Sequence, residues 1–91
     1  MQSVYEQLGF TEKEAAVLKL RSEMMNRLIA EIKKRKLTQS EAARLLGISQ
    51  PRVSDLMRGR LHLFSADMLI TLLSALQLDV RVTVRSRSHA A

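Results

Sequence analysis

LTQSEAARLLGISQPRVSDLMRGR, residues 37–60, decides how this chain is read. Thr38 can cap a helix, and Glu41 three residues on completes a capping box. Ala42, Ala43, Leu45 and Leu46 supply an apolar face, and Gly47 stands where a left-handed residue ends a helix. Ser49 caps a second short helix, whose first turn carries Pro51 at a place where a missing amide costs nothing. Val53, Leu56 and Met57 form its inner face, and Gly59 stops it. Two helices joined by a short glycine-containing turn make a helix-turn-helix, with Ala43 small enough for a close crossing.

Outward from this core the pattern stays helical. TEKE at 11–14 is another capping box, and no Gly or Pro interrupts 12–36. Val17, Leu20, Met24, Leu28 and Ile32 recur at helical spacing, with Met25 and Ile29 widening the stripe. One helix of roughly 35–40 Å is predicted, its first turns overhanging the core. Ser65 caps a helix to about Leu76 with Met68, Leu69, Leu72, Leu73 and Leu76 inward. In DVRVTVR the period becomes two: Val80, Val82 and Val84 alternate with Arg81, Thr83 and Arg85, as in a strand with one buried face. No second strand is evident, so these valines are expected to pair with the same strand of another copy and to be buried against the last helix; the alternative is a short extended tail packed on its own helices, with the dimer made by helices. The predicted organisation is a lead-in at 1–10, a DNA-binding domain at 11–78 with its helix-turn-helix at about 38–57, a dimerisation strand at 79–85, and a disordered tail at 86–91.

Charge supports a polyanionic partner. The 91 residues carry a net charge of +6, and residues 33–60 alone account for all of it through Lys33, Lys34, Arg35, Lys36, Arg44, Arg52, Arg58 and Arg60 against Glu41 and Asp55. The cations of 33–36 can also be read as decoration of a helix C-terminus. Only three aromatics occur, Tyr5, Phe10 and Phe64, which argues against a stacking platform for single strands. No cysteine is present, and His62 and His89 lack the spacing of metal or acid–base pairs, so neither an enzyme nor a metal or cofactor site is expected. Met24, Met25, Met57 and Met68 are read as core filler. The apolar runs are too short to span a bilayer and the N-terminus lacks a signal layout, so no membrane partner is expected and a cytoplasmic location is the default.

In a recognition helix the N-terminal side chains meet base edges. Gln50, Pro51, Arg52, Ser54 and Asp55 are expected to face outward, Gln suiting adenine and Arg suiting guanine, with Asp55 an internal partner for a nearby Arg or a device that rejects wrong bases. Thr38, Gln39 and Ser49, beside the free amides of two helix N-termini, suit phosphates. Arg58 and Arg60, just past the helix, suit phosphates too.

LTQSEAARLLGISQPRVSDLMRG resembles the helix-turn-helix of the XRE (lambda Cro/C1-like) repressors. The likeness extends to the HigA-type antitoxins, in which a lead-in like SVYEQLGF, a long helix, this core, an FS…ML…L helix and a closing DVRVTV strand follow in the same order, over about residues 3–85. The resemblance implies an all-α, lambda-repressor-like bundle of about four helices with a C-terminal β-strand pairing across a homodimer. It implies a sequence-specific regulator of double-stranded DNA that represses its own operon at a palindromic operator, associated with the nucleoid, often beside a RelE/HigB-like toxin. By that analogy Gln39 and Ser49 are phosphate contacts and Gln50, Arg52 and Ser54 read bases. Pro51 departs from the family, many of whose members carry a polar base-reading residue there. The alternative is a protein-binding adaptor that neutralises a partner through its long N-terminal helix, with DNA binding secondary.

Overall fold

The computed structural model describes Gly9 and residues 11–87. Apart from Gly9 the predicted lead-in lies outside the described residues, as does the tail from residue 88. Among the described residues four helices follow one another: α1 (Glu12–Lys34), α2 (Gln39–Leu46), α3 (Gln50–Met57) and α4 (Ala66–Ala75), with a 3₁₀ turn at Leu61–Leu63 between α3 and α4.

All four helices begin in the same way. Thr11, Thr38, Ser49 and Ser65 sit in extended conformation, and each side-chain oxygen accepts from the backbone N–H three residues on. At Thr38 the box is reciprocal, with the Glu41 carboxylate accepting from the Thr38 N–H at 2.9 Å. A buried or half-buried apolar residue precedes three of these caps (Leu37, Ile48, Phe64), and four residues after each cap another apolar residue enters the same core (Ala42, Val53, Leu69). That is the hydrophobic staple, which fixes the angle at which the chain enters each helix.

The helices also end alike. The N–H of Leu37, Ile48, Arg60 and Leu78 each reaches back to the carbonyl five residues earlier, at 3.0–3.2 Å. This closure needs a left-handed residue just before the donor. Gly47 (φ 70°) and Gly59 (φ 71°) supply it for α2 and α3, as their positions in the sequence suggested, whereas Lys36 (φ 54°) and Gln77 (φ 64°) supply it for α1 and α4.

The core is one cluster. Leu28, Val53, Leu56, Phe64 and Leu69 are fully buried, and Leu76, Met25, Ile32, Leu72 and Leu73 nearly so. Each aliphatic side chain removed from water contributes about 1.5–3 kcal/mol against the entropy of ordering the chain. α1 packs chiefly on α4, and α2 chiefly on α3. Four expected inward residues face solvent instead: Val17 and Leu20 are 52% and 40% exposed on the overhanging half of α1, Leu45 is 49% exposed, and Met68 is exposed as well. The stripe on α1 continues in sequence beyond the point at which the other helices cover it.

Polar groups tie α1 to the rest. The buried Glu31 carboxylate accepts from Arg27 at 2.8 Å and from Arg35 at 2.7 Å. Hydrogen bonds from Arg27 and then Arg35 hold its carboxyl below the usual carboxylate range, and burial works against them. Arg35 also donates to the Leu76 carbonyl at the end of α4, at 2.5 Å. Nearer the middle of α1, the half-buried Arg21 donates to the carbonyls of Leu61 and Phe64 at 2.6–2.9 Å.

The expected C-terminal strand is not formed. Residues 78–87 carry no regular structure, and only Val80 packs on the core, while Val82 and Val84 are 66% and 90% exposed. The valines are therefore not buried on α4, and no pairing across a dimer by Val80, Val82 and Val84 is supported. Alternation of apolar residues marks a face that a sheet could cover; it supplies no ladder, and the described residues contain no strand to provide one. Arg87, at the edge of the predicted tail, instead forms an exposed ion pair with Glu12 at the start of α1.

Candidate nucleic-acid interface

α3 is anchored along one face by Val53 and Leu56, its two buried residues, which belong to the core cluster. With about 100° per residue, those two residues place Pro51 and Arg58 nearly opposite the core. Ser54 and Asp55 flank that outward line, and Gln50 and Arg52 lie at its two edges. Exposure follows this wheel at its centre, where Pro51 and Arg58 are exposed, and departs from it at the sides: Gln50 is exposed at the open start of the helix, while Ser54, Asp55 and Arg52 are half-buried.

Arg52 is the residue whose placement departs most from its expected outward direction. Its guanidinium carbon lies 4.2 Å from the centroid of the Phe64 ring, and one of its amino groups is 2.8 Å from the Met68 sulfur. The side chain thus leans across the gap between α3 and the start of α4, held by a cation–π contact. Its backbone N–H is engaged as well, donating to Ser49 Oγ at 3.3 Å. Met68, read in the sequence as core, is 37% exposed and serves as the outer wall of this contact.

The other candidates fall at the openings of the two short helices or just beyond them. Thr38 and Gln39 are exposed at the start of α2, and Ser49 and Gln50 at the start of α3. Thr38 and Ser49 spend their hydroxyls on cap hydrogen bonds, leaving other first-turn amides of each helix directed outward. Arg58 and Arg60 are exposed after α3, and Arg60 lies 3.4 Å from Asp55, which has the internal Arg partner its position suggested. That pair keeps the one carboxylate of α3 from standing alone beside a polyanion.

The basic segment divides by role. Arg35 is committed to Glu31 and the Leu76 carbonyl, so part of the 33–36 run is structural. Lys33, Lys34, Lys36, Arg44, Arg58 and Arg60 remain exposed. Among the described residues no group of His, Asp and Glu could hold a metal ion, and no helix is long and apolar enough to cross a membrane.

The sequence reading passed over the residues that hold this surface in place. Phe64 is fully buried beneath Arg52, and Arg21 grips the turn that carries Phe64. A signal for Phe64 was present: an aromatic residue just before a cap Ser, with Leu69 four residues after it, spells a hydrophobic staple. Arg21 had none, because a carbonyl acceptor forty residues away leaves no local pattern.

Comparison with known proteins agrees with this geometry. A family described as "Helix-turn-helix domain" matches residues 4–85. A solved structure named "Putative XRE Family Transcriptional Regulator" is 36% identical, covering 85% of this chain and 86% of its own, and superposes with a TM-score of 0.78. No curated protein matches. With nearly the whole chain matched and both short helices in place, the protein belongs to the helix-turn-helix domain family and has the fold of an XRE-type, DNA-binding transcriptional regulator.

Proposed function

We infer that the protein is a sequence-specific regulator that represses its own operon, binding a palindromic operator as a homodimer with α3 of each subunit in the major groove. The observation that carries this reading is the outward face of α3, with Gln50, Pro51 and Arg58 exposed and Arg52, Ser54 and Asp55 half-buried beside them, on a segment that holds the chain's whole net charge. Gln50, Arg52 and Ser54 are assigned to base edges, and Thr38, Gln39, Ser49, Arg58 and Arg60 to phosphates. Size supports the dimer: an eight-residue helix is about 12 Å long and spans roughly four base pairs at 3.4 Å each. So short a site recurs throughout any genome. Two copies double it, with half-sites about 34–36 Å apart. A cytoplasmic, nucleoid-bound location goes with this role.

A second reading is favoured by one feature. Val17 on α1, with Leu63, Ala66 and Met68, lines an open apolar groove beside Arg21. A protein partner seated there would make the chain the antitoxin of a RelE/HigB-like toxin, or an adaptor for which DNA is secondary.

Fluorescence anisotropy with a duplex from immediately upstream of the protein's own gene, beside a scrambled duplex, separates the two. Specific repression predicts tighter binding to the upstream duplex. Arg58 and Arg60 in each of two subunits predict that log K falls against log salt with a slope of about −3.6. Equal, weak binding to both duplexes would leave the protein-partner reading in front.

A further inference from the structure

Resting on the major-groove reading above, the outer face of α3 can be taken one residue further. Pro51 is exposed in the first turn, nearly opposite the buried pair Val53 and Leu56, and so is the first-turn side chain that projects farthest from the core. Of its neighbours on that face, Arg52 leans its guanidinium onto Phe64 and Asp55 faces Arg60, while Gln50 is exposed at one edge and Ser54 is half-buried beside the outward line. Whatever the N-terminal end of α3 meets in the groove, it meets with a pyrrolidine ring in front.

That ring has no donor and no acceptor, and the residue has no backbone N–H. It cannot read a hydrogen-bonding edge, and it would strip water from one without replacing it. The major groove offers a single apolar feature among the four base pairs, the 5-methyl group of thymine. The ring is also rigid, so contact costs it almost no side-chain entropy. We propose that Pro51 is a specificity-determining residue that reads a thymine in each half-site through its 5-methyl group. Because the methyl alone is read, deoxyuridine is rejected at that position and 5-methylcytosine is accepted better than cytosine.

The test uses the full chain and a randomised 30-base-pair duplex library. Wild type is used to select a binding motif, and each thymine of the motif is then replaced singly by deoxyuridine, which removes only the methyl. One thymine per half-site is expected to lose about fourfold in affinity on replacement, the worth of one buried methyl group. Pro51→Ser, its helix content and melting checked by circular dichroism, should bind the thymine and deoxyuridine duplexes equally; Pro51→Gly, which removes the ring altogether, should do the same. The proposal is overturned if no thymine in the motif is sensitive, or if the sensitive one stays equally sensitive in both variants. A wild-type protein that selects no motif would overturn the sequence-specific reading itself and this inference with it, a result distinct from a clear motif indifferent to methyl removal.

Discussion

The guanidinium of Arg52 stacks on the ring of Phe64, 4.2 Å from its centroid, so one side chain links α3 to the fully buried residue just ahead of the Ser65 cap of α4. Arg52→Ala is therefore expected to act twice. In the free protein it should lower stability by about 0.5–1 kcal/mol, the worth of a partly exposed cation–π contact, read as a shift in urea midpoint with unchanged slope. On operator DNA it should cost about 1–3 kcal/mol and relax preference at one base pair. Uniform weakening across all sequences would instead make Arg52 a phosphate contact.

Core truncation should be far costlier than any surface change. Leu28 and Leu56 are fully buried, and Leu→Ala at either is expected to destabilise by about 2–5 kcal/mol. Chemical denaturation followed by helical circular dichroism measures this directly. A loss under 1 kcal/mol would mean that the cluster collapses around the gap.

Helix ends offer changes of opposite sign. At Gly47 a Cβ would meet no atom within 4 Å, so Gly47→Ala carries only the backbone cost of φ 70°, about 1–2 kcal/mol. Gln77 holds a similar φ of 64° without being glycine. Gln77→Gly is expected to raise stability by a few tenths to about 1 kcal/mol, or about 4 °C in melting temperature at the favourable end for a chain of this size. DNA binding should be unaffected by it.

Acid should weaken the fold through two glutamates. Glu31 is held below the usual carboxylate range by Arg27 and Arg35, and Glu41 by the Thr38 backbone N–H and then its hydroxyl. In the unfolded chain both titrate near pH 4.3, so as pH falls the unfolded state takes up protons first. Their stabilisation is complete above about pH 5 and declines through pH 4 toward 3. Glu31→Gln should be less stable than wild type at neutral pH, with the gap narrowing at pH 3. Urea midpoints at pH 3, 4, 5 and 7 check the trend, and a constant gap would contradict it.

The helices were legible because each boundary is written locally. Thr11, Thr38, Ser49 and Ser65 announce starts, and Gly47 and Gly59 announce stops. The ends at Lys36 and Gln77 were less so, because residues with no left-handed preference adopt that conformation under the pull of Leu37 and Leu78 toward the core. Val80, Val82 and Val84 misled for a related reason: their alternation describes a capacity for burial that depends on what lies opposite. The candidate interface reads in the sequence as a set of polar residues on one helix. Which of them leans sideways is not legible there, since the position of Arg52 depends on Phe64 and Met68, twelve and sixteen residues further on.

Arg21 belongs to α1, outside the helix-turn-helix, yet its hydrogen bonds to Leu61 and Phe64 fix the turn that follows α3. A surface loop left to itself would have to surrender its freedom on meeting a duplex, and that loss would shorten the life of the complex. Here the freedom is surrendered once, during folding. On the proposed reading, the lifetime of this protein on DNA would be partly written at a residue in another helix, where drift would retune occupancy while the site being read stays the same.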